Sequence, residues 1–402
     1  MARFIYTAKS KPKEEIKGFI EAESEQDAVN KISRKGYFPL SIKSAEDFYN
    51  RNNFLSFKRI SQKEIVLFTR QLSGLISAGV NIINSLNIIY KQTSNRYFKL
   101  KLNDIISRVK DGKPFSESLS SQKTLFSDLY CSMVRTGEAS GNLKDILNRL
   151  SGFLEKDDDF RNTILAALTY PFFVLGVGIL TVLVLMIVVV PGLTTMFKDM
   201  GQVLPLPTRI LISLSDFLRG YFLFLVGLII AAVFLLKKIY RSPQGRLALD
   251  KFKLKISILG QIILKTEISR LTRSLSLLIS GGISITSALE ISAASLGNKV
   301  LVAETEKFKE QIKNGASFSY ALENSKIFPE FVRQIIIIGE ETGSLDKSLV
   351  LIAEEYEKEV DRSLKTFARL LEPIIILVIG LVVGFIVLSM LLPIFEINFL
   401  VQ

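Results

Sequence analysis

The 402-residue sequence contains no histidine and a single cysteine, Cys131. Without histidine there is no Ser-His catalytic pair, no imidazole-ligated metal and no imidazole pH switch. One thiol forms neither an intrachain disulfide nor a Cys-cluster metal site, and reads as a small buried apolar side chain. Phosphate-binding loops are missing as well, because Gly112-Lys113 lacks the upstream glycine of a P-loop. No catalytic motif and no cofactor site remain, so a non-enzymatic role is expected. The first twenty residues carry Lys9, Lys11, Lys13 and Lys17 with no apolar core, so no cleaved leader is expected.

What is present is apolar surface and positive charge. Hydrophobic residues make up 48% of the chain, mean hydropathy is +0.33 and net charge is +12. The basic residues are spread along the polar segments rather than gathered into a nucleic-acid-binding module. This favours contact with anionic lipid or acidic partners and excludes nucleic acid as a partner.

One motif occurs twice. Gly137-Glu138-Ala139-Ser140-Gly141-Asn142-Leu143 is followed 202 positions later by Gly339-Glu340-Glu341-Thr342-Gly343-Ser344-Leu345. The same offset maps Pro171 onto Pro373 and Pro191 onto Pro393. Upstream the offset is 203, pairing Arg70 with Arg273, Gly79 with Gly282, Gly112 with Gly315 and Phe115 with Phe318, so a one-residue shift lies between. A repeat this long is a domain duplication rather than a solenoid.

The fold class is therefore mainly α: a polytopic membrane protein with two duplicated cytoplasmic bundles of about six helices, three transmembrane helices and a small N-terminal α+β module. Residues 1–45 form that module, with strands at Phe4–Tyr6, Ile16–Ala22 and Tyr37–Ile42 and a helix opened by Ser24 and Asp27 and closed by Gly36. Its core is small enough that docking on another element is expected. Residues 46–60 are a linker in which Phe48, Phe54 and Phe57 tack the chain to a neighbour. Ser61-Gln62-Lys63-Glu64 is a capping box opening the first bundle, 61–163, with helices near 62–77, 81–93, 96–110, 114–121, 127–138 and 143–168. The second bundle spans 264–370. Transmembrane helices are placed at 164–190, 210–236 and 371–395, joined by an extracytoplasmic loop at 191–209 and a cytoplasmic connector at 237–263, with a tail at 396–402. Lys237, Lys238, Arg241 and Arg246 after the second span, Arg161 before the first and Lys365 and Arg369 before the third put the N-terminus and both bundles in the cytoplasm and the C-terminus outside.

Several residues are candidates for coupling or partner contact. Arg70 and Arg273 sit on apolar helix faces, either pairing with an acidic group or laying their stems on the bundle. Glu138 and Glu340 either cap the helix that follows or meet a partner. Asn142 and Ser344 are N-caps, and Gly141 and Gly343 allow the turn before them. The acidic runs Glu155–Asp159 and Glu354–Asp361 read as solvated helix faces, with a basic partner or a hard cation as alternatives. Pro171 and Pro373 are expected to kink the stems at the bilayer, and Glu372 places a carboxylate there that needs a partner or water. Gly380 and Gly384 form a GxxxG, with Gly178 matching Gly380, and read as membrane helix packing within or between protomers.

The chain resembles the type II secretion system F family. The resemblance rests on the Gly18–Ala22 segment and on Phe68-Thr69-Arg70-Gln71-Leu72 and Leu271-Thr272-Arg273-Ser274-Leu275. The Ala78-Gly79 and Gly281-Gly282 turns, the repeated Gly-Glu loops and Leu168-Thr169-Tyr170-Pro171…Pro191 complete it. The family usually carries a basic residue eight positions before the first membrane proline, where this chain has Thr163, with Arg161 nearby. The resemblance implies an inner-membrane platform of a type IV pilus or type II secretion machine. It would work with a cytoplasmic secretion ATPase, pilin or pseudopilin subunits, other inner-membrane assembly proteins and the lipid bilayer, as a homo-oligomer. An adaptor without motor coupling and a small transporter or channel subunit are the alternatives.

Overall fold

The computed structural model describes residues 2–11, 14–22, 24–34, 36–44, 60–192, 205–323, 325 and 327–400. Most of the expected linker, with Phe48, Phe54 and Phe57, lies outside these residues, as does much of the expected extracytoplasmic loop.

The N-terminal module is a three-stranded antiparallel sheet with one helix. Strands β1 (Ala2–Lys11), β2 (Glu14–Ala22) and β3 (Phe38–Ser44) lie in the order β2-β1-β3, so β1 is central. Because β1 has a ladder on both edges, it runs well beyond the Phe4–Tyr6 core read from sequence. Helix α1 (Glu25–Arg34) starts where Ser24 Oγ accepts the Asp27 N–H at 3.2 Å, and it buries Ala28 and Ile32 against Ala8 and Ala22.

The first helical copy consists of α2 (Gln62–Ser77), α3 (Ile82–Gln92), α4 (Arg96–Lys110), α5 (Phe115–Ser120), α6 (Asp128–Ala139) and α7 (Leu143–Val184). Each start has a local cause. The Ser61–Glu64 capping box is made in both directions, and Asn81, Asn95 and Ser127 each accept an N–H from the first turn of the helix they precede. Phe68, Leu72, Leu102, Phe115, Phe126 and Tyr130 are buried together, with Phe126 and Tyr130 ring centres 4.9 Å apart.

After α8 (Leu206–Arg241) and α9 (Pro243–Lys255), the second copy repeats this order as α10 (Ser257–Ser280), α11 (Ile285–Ser295), α12 (Lys299–Lys313), α13 (Phe318–Glu323), α14 (Glu330–Glu341) and α15 (Leu345–Leu400). The expected 237–263 connector is helical, and α10 begins at Ser257, earlier than the apolar pattern suggested. The one-residue shift between the copies falls in the loop between their fourth and fifth helices, which is one residue longer in the first copy. A single contiguous cluster of buried apolar side chains runs through both copies.

Two helices, Leu143–Gly192 and Leu345–Pro393, are long and apolar enough to cross a bilayer. Their apolar side chains are largely exposed, Phe172 and Phe173 by about two thirds, which is stable only against lipid or another apolar surface. Helix α8 also carries the expected apolar run, but its halves Leu206–Phe224 and Val226–Arg241 are bent by 52°. Neither Pro171 nor Pro373 breaks its helix: α7 and α15 continue through both.

Candidate functional site

The repeated Gly-Glu loop does a different job from the one its position in sequence suggests. Glu138 does not cap the helix after it. Its Oε1 accepts the Phe115 N–H at 2.5 Å and its Oε2 the Ser116 N–H at 2.9 Å, so it caps the short α5 that precedes it. Glu340 does the same to α13, accepting Phe318 N–H at 2.6 Å and Ser319 N–H at 3.0 Å. A carboxylate at the positive end of a helix satisfies two orphan donors at once. Asn142 makes no side-chain cap, and the Ser344 hydroxyl bonds the Thr342 hydroxyl at 2.6 Å instead, because the loop glycines already close the turn. Gly141 and Gly343 have φ of +70° and +62°, which an L side chain rarely adopts. A Cβ at Gly137 or Gly339 would lie within 3.1 Å of the first turns of α7 and α15.

The stems α7 and α15 run side by side, and positions within a few residues of equivalence meet. Below the membrane, Lys156 Nζ pairs with Glu354 Oε1 at 2.9 Å, and Phe160 and Ile164 pack with Val360 and Leu364. At the bilayer boundary the Tyr170 hydroxyl donates to Glu372 Oε1 at 3.0 Å. These two residues are counterparts in the duplication, so the boundary carboxylate has the partner it needs. Deeper still, Gly178 lies against Ile379 so closely that a Cβ would fall 2.0 Å from Ile379 Cδ1. Of the three glycines expected to pack membrane helices, Gly178, Gly380 and Gly384, only Gly178 is packed within the chain. A Cβ at Gly380 or Gly384 would meet nothing within 4 Å.

At their far ends the stems are joined through α8, which the sequence reading did not anticipate. Residues Leu185–Val189 form a π-helical turn continuing α7. The Ser215 hydroxyl donates to the Met186 carbonyl there, and the Thr208 hydroxyl donates to the Ser389 carbonyl of α15. Met186, Val190, Leu211 and Ile386 bury one another around these bonds. A widened turn loosens its backbone bonding, and side-chain hydroxyls are the usual partners for such carbonyls inside a membrane.

The two arginines differ. Arg273 is buried and makes a bidentate pair with Glu357, at 2.6 Å from both Nε and Nη2, with Ser269 also donating to that carboxylate. Arg70 is exposed and makes no ion pair among the described residues. The acidic run on α15 is mostly paired: Glu354 with Lys156, Glu357 with Arg273, Glu359 with Lys265 and Asp361 with Lys365. Two of these pairs reach α10, one reaches α7 and one stays within α15. Opposite it, burial raises the Asp157 carboxyl above its ordinary range, partly opposed by Arg270 and Arg161. Among the described residues no group of three or more Cys, Asp or Glu side chains is placed to hold a metal ion. Arg273 also lines a cleft of about 360 Å³ between the copies, with Arg149, Gly152, Phe153 and Lys156 on the facing helix α7.

Sequence reasoning also missed a pair of acidic struts. Glu64 Oε2 accepts the Asn95 side-chain amide at 3.1 Å, and its counterpart Glu267 accepts the Gly297 N–H at 2.7 Å. Each ties the first helix of a copy to the turn before its third. The signal was present as Glu64 and Glu267 with Asn95 and Asn298 at the same offset of 203.

This architecture matches known proteins along its length. The model of Type II secretion system protein F matches residues 68–191 and again 271–393, and that of its N-terminal domain matches 1–43. The chain is 36% identical to Type IV pilus assembly protein PilC of Thermus thermophilus over 99% of its own length and 98% of that protein's. It is 33% identical to the protein of the same name from Myxococcus xanthus, over 100% and 96%. It is 30% identical to Type II secretion system protein F of Xanthomonas campestris, over 99% of both. The helical duplication found in the structure coincides with the two family matches, and the chain belongs to the Type II secretion system protein F family.

Proposed function

We propose that this chain is a non-enzymatic inner-membrane platform of a type IV pilus or type II secretion machine. In this reading a cytoplasmic ATPase acts on the helical copies, and pilin or pseudopilin subunits pass from the bilayer into a filament beside the membrane helices. The N-terminus and both copies lie in the cytoplasm, α8 crosses the bilayer despite its bend, and the C-terminus lies outside, as the distribution of Lys and Arg favours. The names of the relatives support assembly of a pilus or a secretion machine.

The observation that carries the mechanical part is the pair of unbroken stems. Each runs from a cytoplasmic bundle into the membrane without a flexible joint, and the two are tied at the boundary by Tyr170 and Glu372. A displacement of the bundles is then transmitted to the membrane helices rather than absorbed in a loop. Pro171 and Pro373 flank this tie and remove one backbone N–H each, so the stems are softest there. Replacing Glu372 and Pro373 by alanine is expected to block filament assembly or secretion while protein level and ATPase binding stay normal. Normal piliation or secretion by that variant refutes motor coupling through the stems. Loss of ATPase capture by wild-type protein points instead to an adaptor without a motor.

A further inference from the structure

The two copies do not contact each other symmetrically. Helices α10 and α11 of the second copy rest on α6 and α7 of the first, while α2 and α3 of the first copy make no comparable contact with α14 and α15. The contact is close: a Cβ at Gly281, which ends α10, would sit 2.9 Å from the Met133 sulfur. The face used by the second copy therefore has a free equivalent on the first, and the face used by the first has a free equivalent on the second.

The free equivalents carry complementary residues. On α2, the positions matching Arg270, Arg273, Leu277 and Gly281 are Leu67, Arg70, Gly74 and Ala78. All four are exposed, and Arg70 has no ion pair among the described residues. On the second copy, the position matching Met133 is Ile335. The positions matching Arg149, Gly152 and Phe153, which face Arg273 across the cleft, are Leu351, Glu354 and Glu355. Leu351 is 51% exposed, and Glu355 has no ion pair among the described residues. Inside the chain, the cleft brings Arg273 up to Arg149 and Lys156, with Arg273 paired to Glu357 and Lys156 to Glu354. At the free face an incoming Arg70 meets Glu355 and Leu351, beside a Glu354 already paired with Lys156.

We propose that a second copy of this chain docks its α2–α3 face onto the α14–α15 face of the first, repeating between chains the contact made within one. Such a contact is head-to-tail, joining different patches on the two partners. Both stems run in the same direction along the chain, so repetition adds chains side by side in the bilayer. This gives the expected homo-oligomer a specific surface, and it does not depend on motor coupling.

The test is disulfide cross-linking in membranes between two differently tagged full-length chains, one Ala78→Cys and the other Ile335→Cys. These positions match Gly281 and Met133, and a disulfide needs Cα atoms within about 7 Å. Native Cys131 is buried, and burial pushes its thiol up, so the unsubstituted chain is the negative control. Oxidation is expected to give the mixed dimer, with little dimer from either variant alone. Arg70→Glu in the Ala78→Cys chain is expected to lower the yield by about tenfold. Glu355→Arg in the other chain should restore it. Absence of the mixed dimer while both cysteines react with a maleimide overturns the proposal. So does a dimer formed mainly between identical variants, which marks a symmetric interface instead.

Discussion

Glu138→Ala and Glu340→Ala make a matched pair of perturbations with unequal expected costs. Each glutamate accepts two backbone N–H groups at the start of a short buried helix. Hydrogen bonds to a charged group contribute about 1.5–3 kcal/mol each, and water reaching a half-buried site recovers part of that. Loss of both bonds therefore costs about 2–4 kcal/mol locally. In the first copy nothing else replaces them, because the N-cap of α5 is Pro114, which makes no side-chain cap. In the second copy Ser317 Oγ also accepts the Tyr320 N–H at 3.1 Å, so α13 keeps one cap when Glu340 is lost. Glu138→Ala should thus be the more damaging change by about 1 kcal/mol, the usual worth of a serine cap. The assay is amide hydrogen exchange by mass spectrometry on the full chain in detergent. At tenfold per 1.4 kcal/mol, exchange across 115–120 should accelerate by ~30- to ~700-fold in Glu138→Ala. The 318–323 peptide of Glu340→Ala should accelerate less. Equal acceleration in the two, or none in the first, would falsify the assignment of these carboxylates as helix caps.

Two further outcomes are expected. Gly178→Ala forces Ile379 to move and should destabilise the stem pair by about 1–3 kcal/mol in detergent unfolding, with recovery by Ile379→Ala, whereas Gly380→Ala should be tolerated. Asp157 has a folded-state carboxyl held above its unfolded range by burial, so its contribution to stability is present at acid pH and lost as pH rises through the folded value. Asp157→Asn should therefore raise the melting temperature at neutral pH and narrow the difference in stability between acid and neutral pH. An unchanged pH dependence refutes that account.

Some of this protein was legible without coordinates. The helices of the first copy, the capping box at Ser61 and Glu64, the glycine turns and the two long membrane stems follow from periodicity, caps and apolar runs, which act within a few residues of one another. The duplication was legible because both copies keep the same spacing. The start of α10 and the π-helical turn at Leu185 were not, since neither alters the apolar pattern that marks a helix.

Which group meets which was decided by the tertiary structure. Glu138 caps a helix more than twenty positions back instead of the one that starts five residues ahead at Leu143, because packing of α6 brings the carboxylate to α5. Tyr170 and Glu372 were recognisable as counterparts, but only the parallel stems make them partners. Arg70 and Arg273 occupy the same place in two copies of one unit, and their sequence neighbourhoods match closely. One is buried in a bidentate pair with Glu357 of its own copy, and the other is exposed with no ion pair among the described residues. Local sequence sets the backbone, since its hydrogen bonds and torsions are short-range. The charge and burial of a side chain depend on what another segment brings to it.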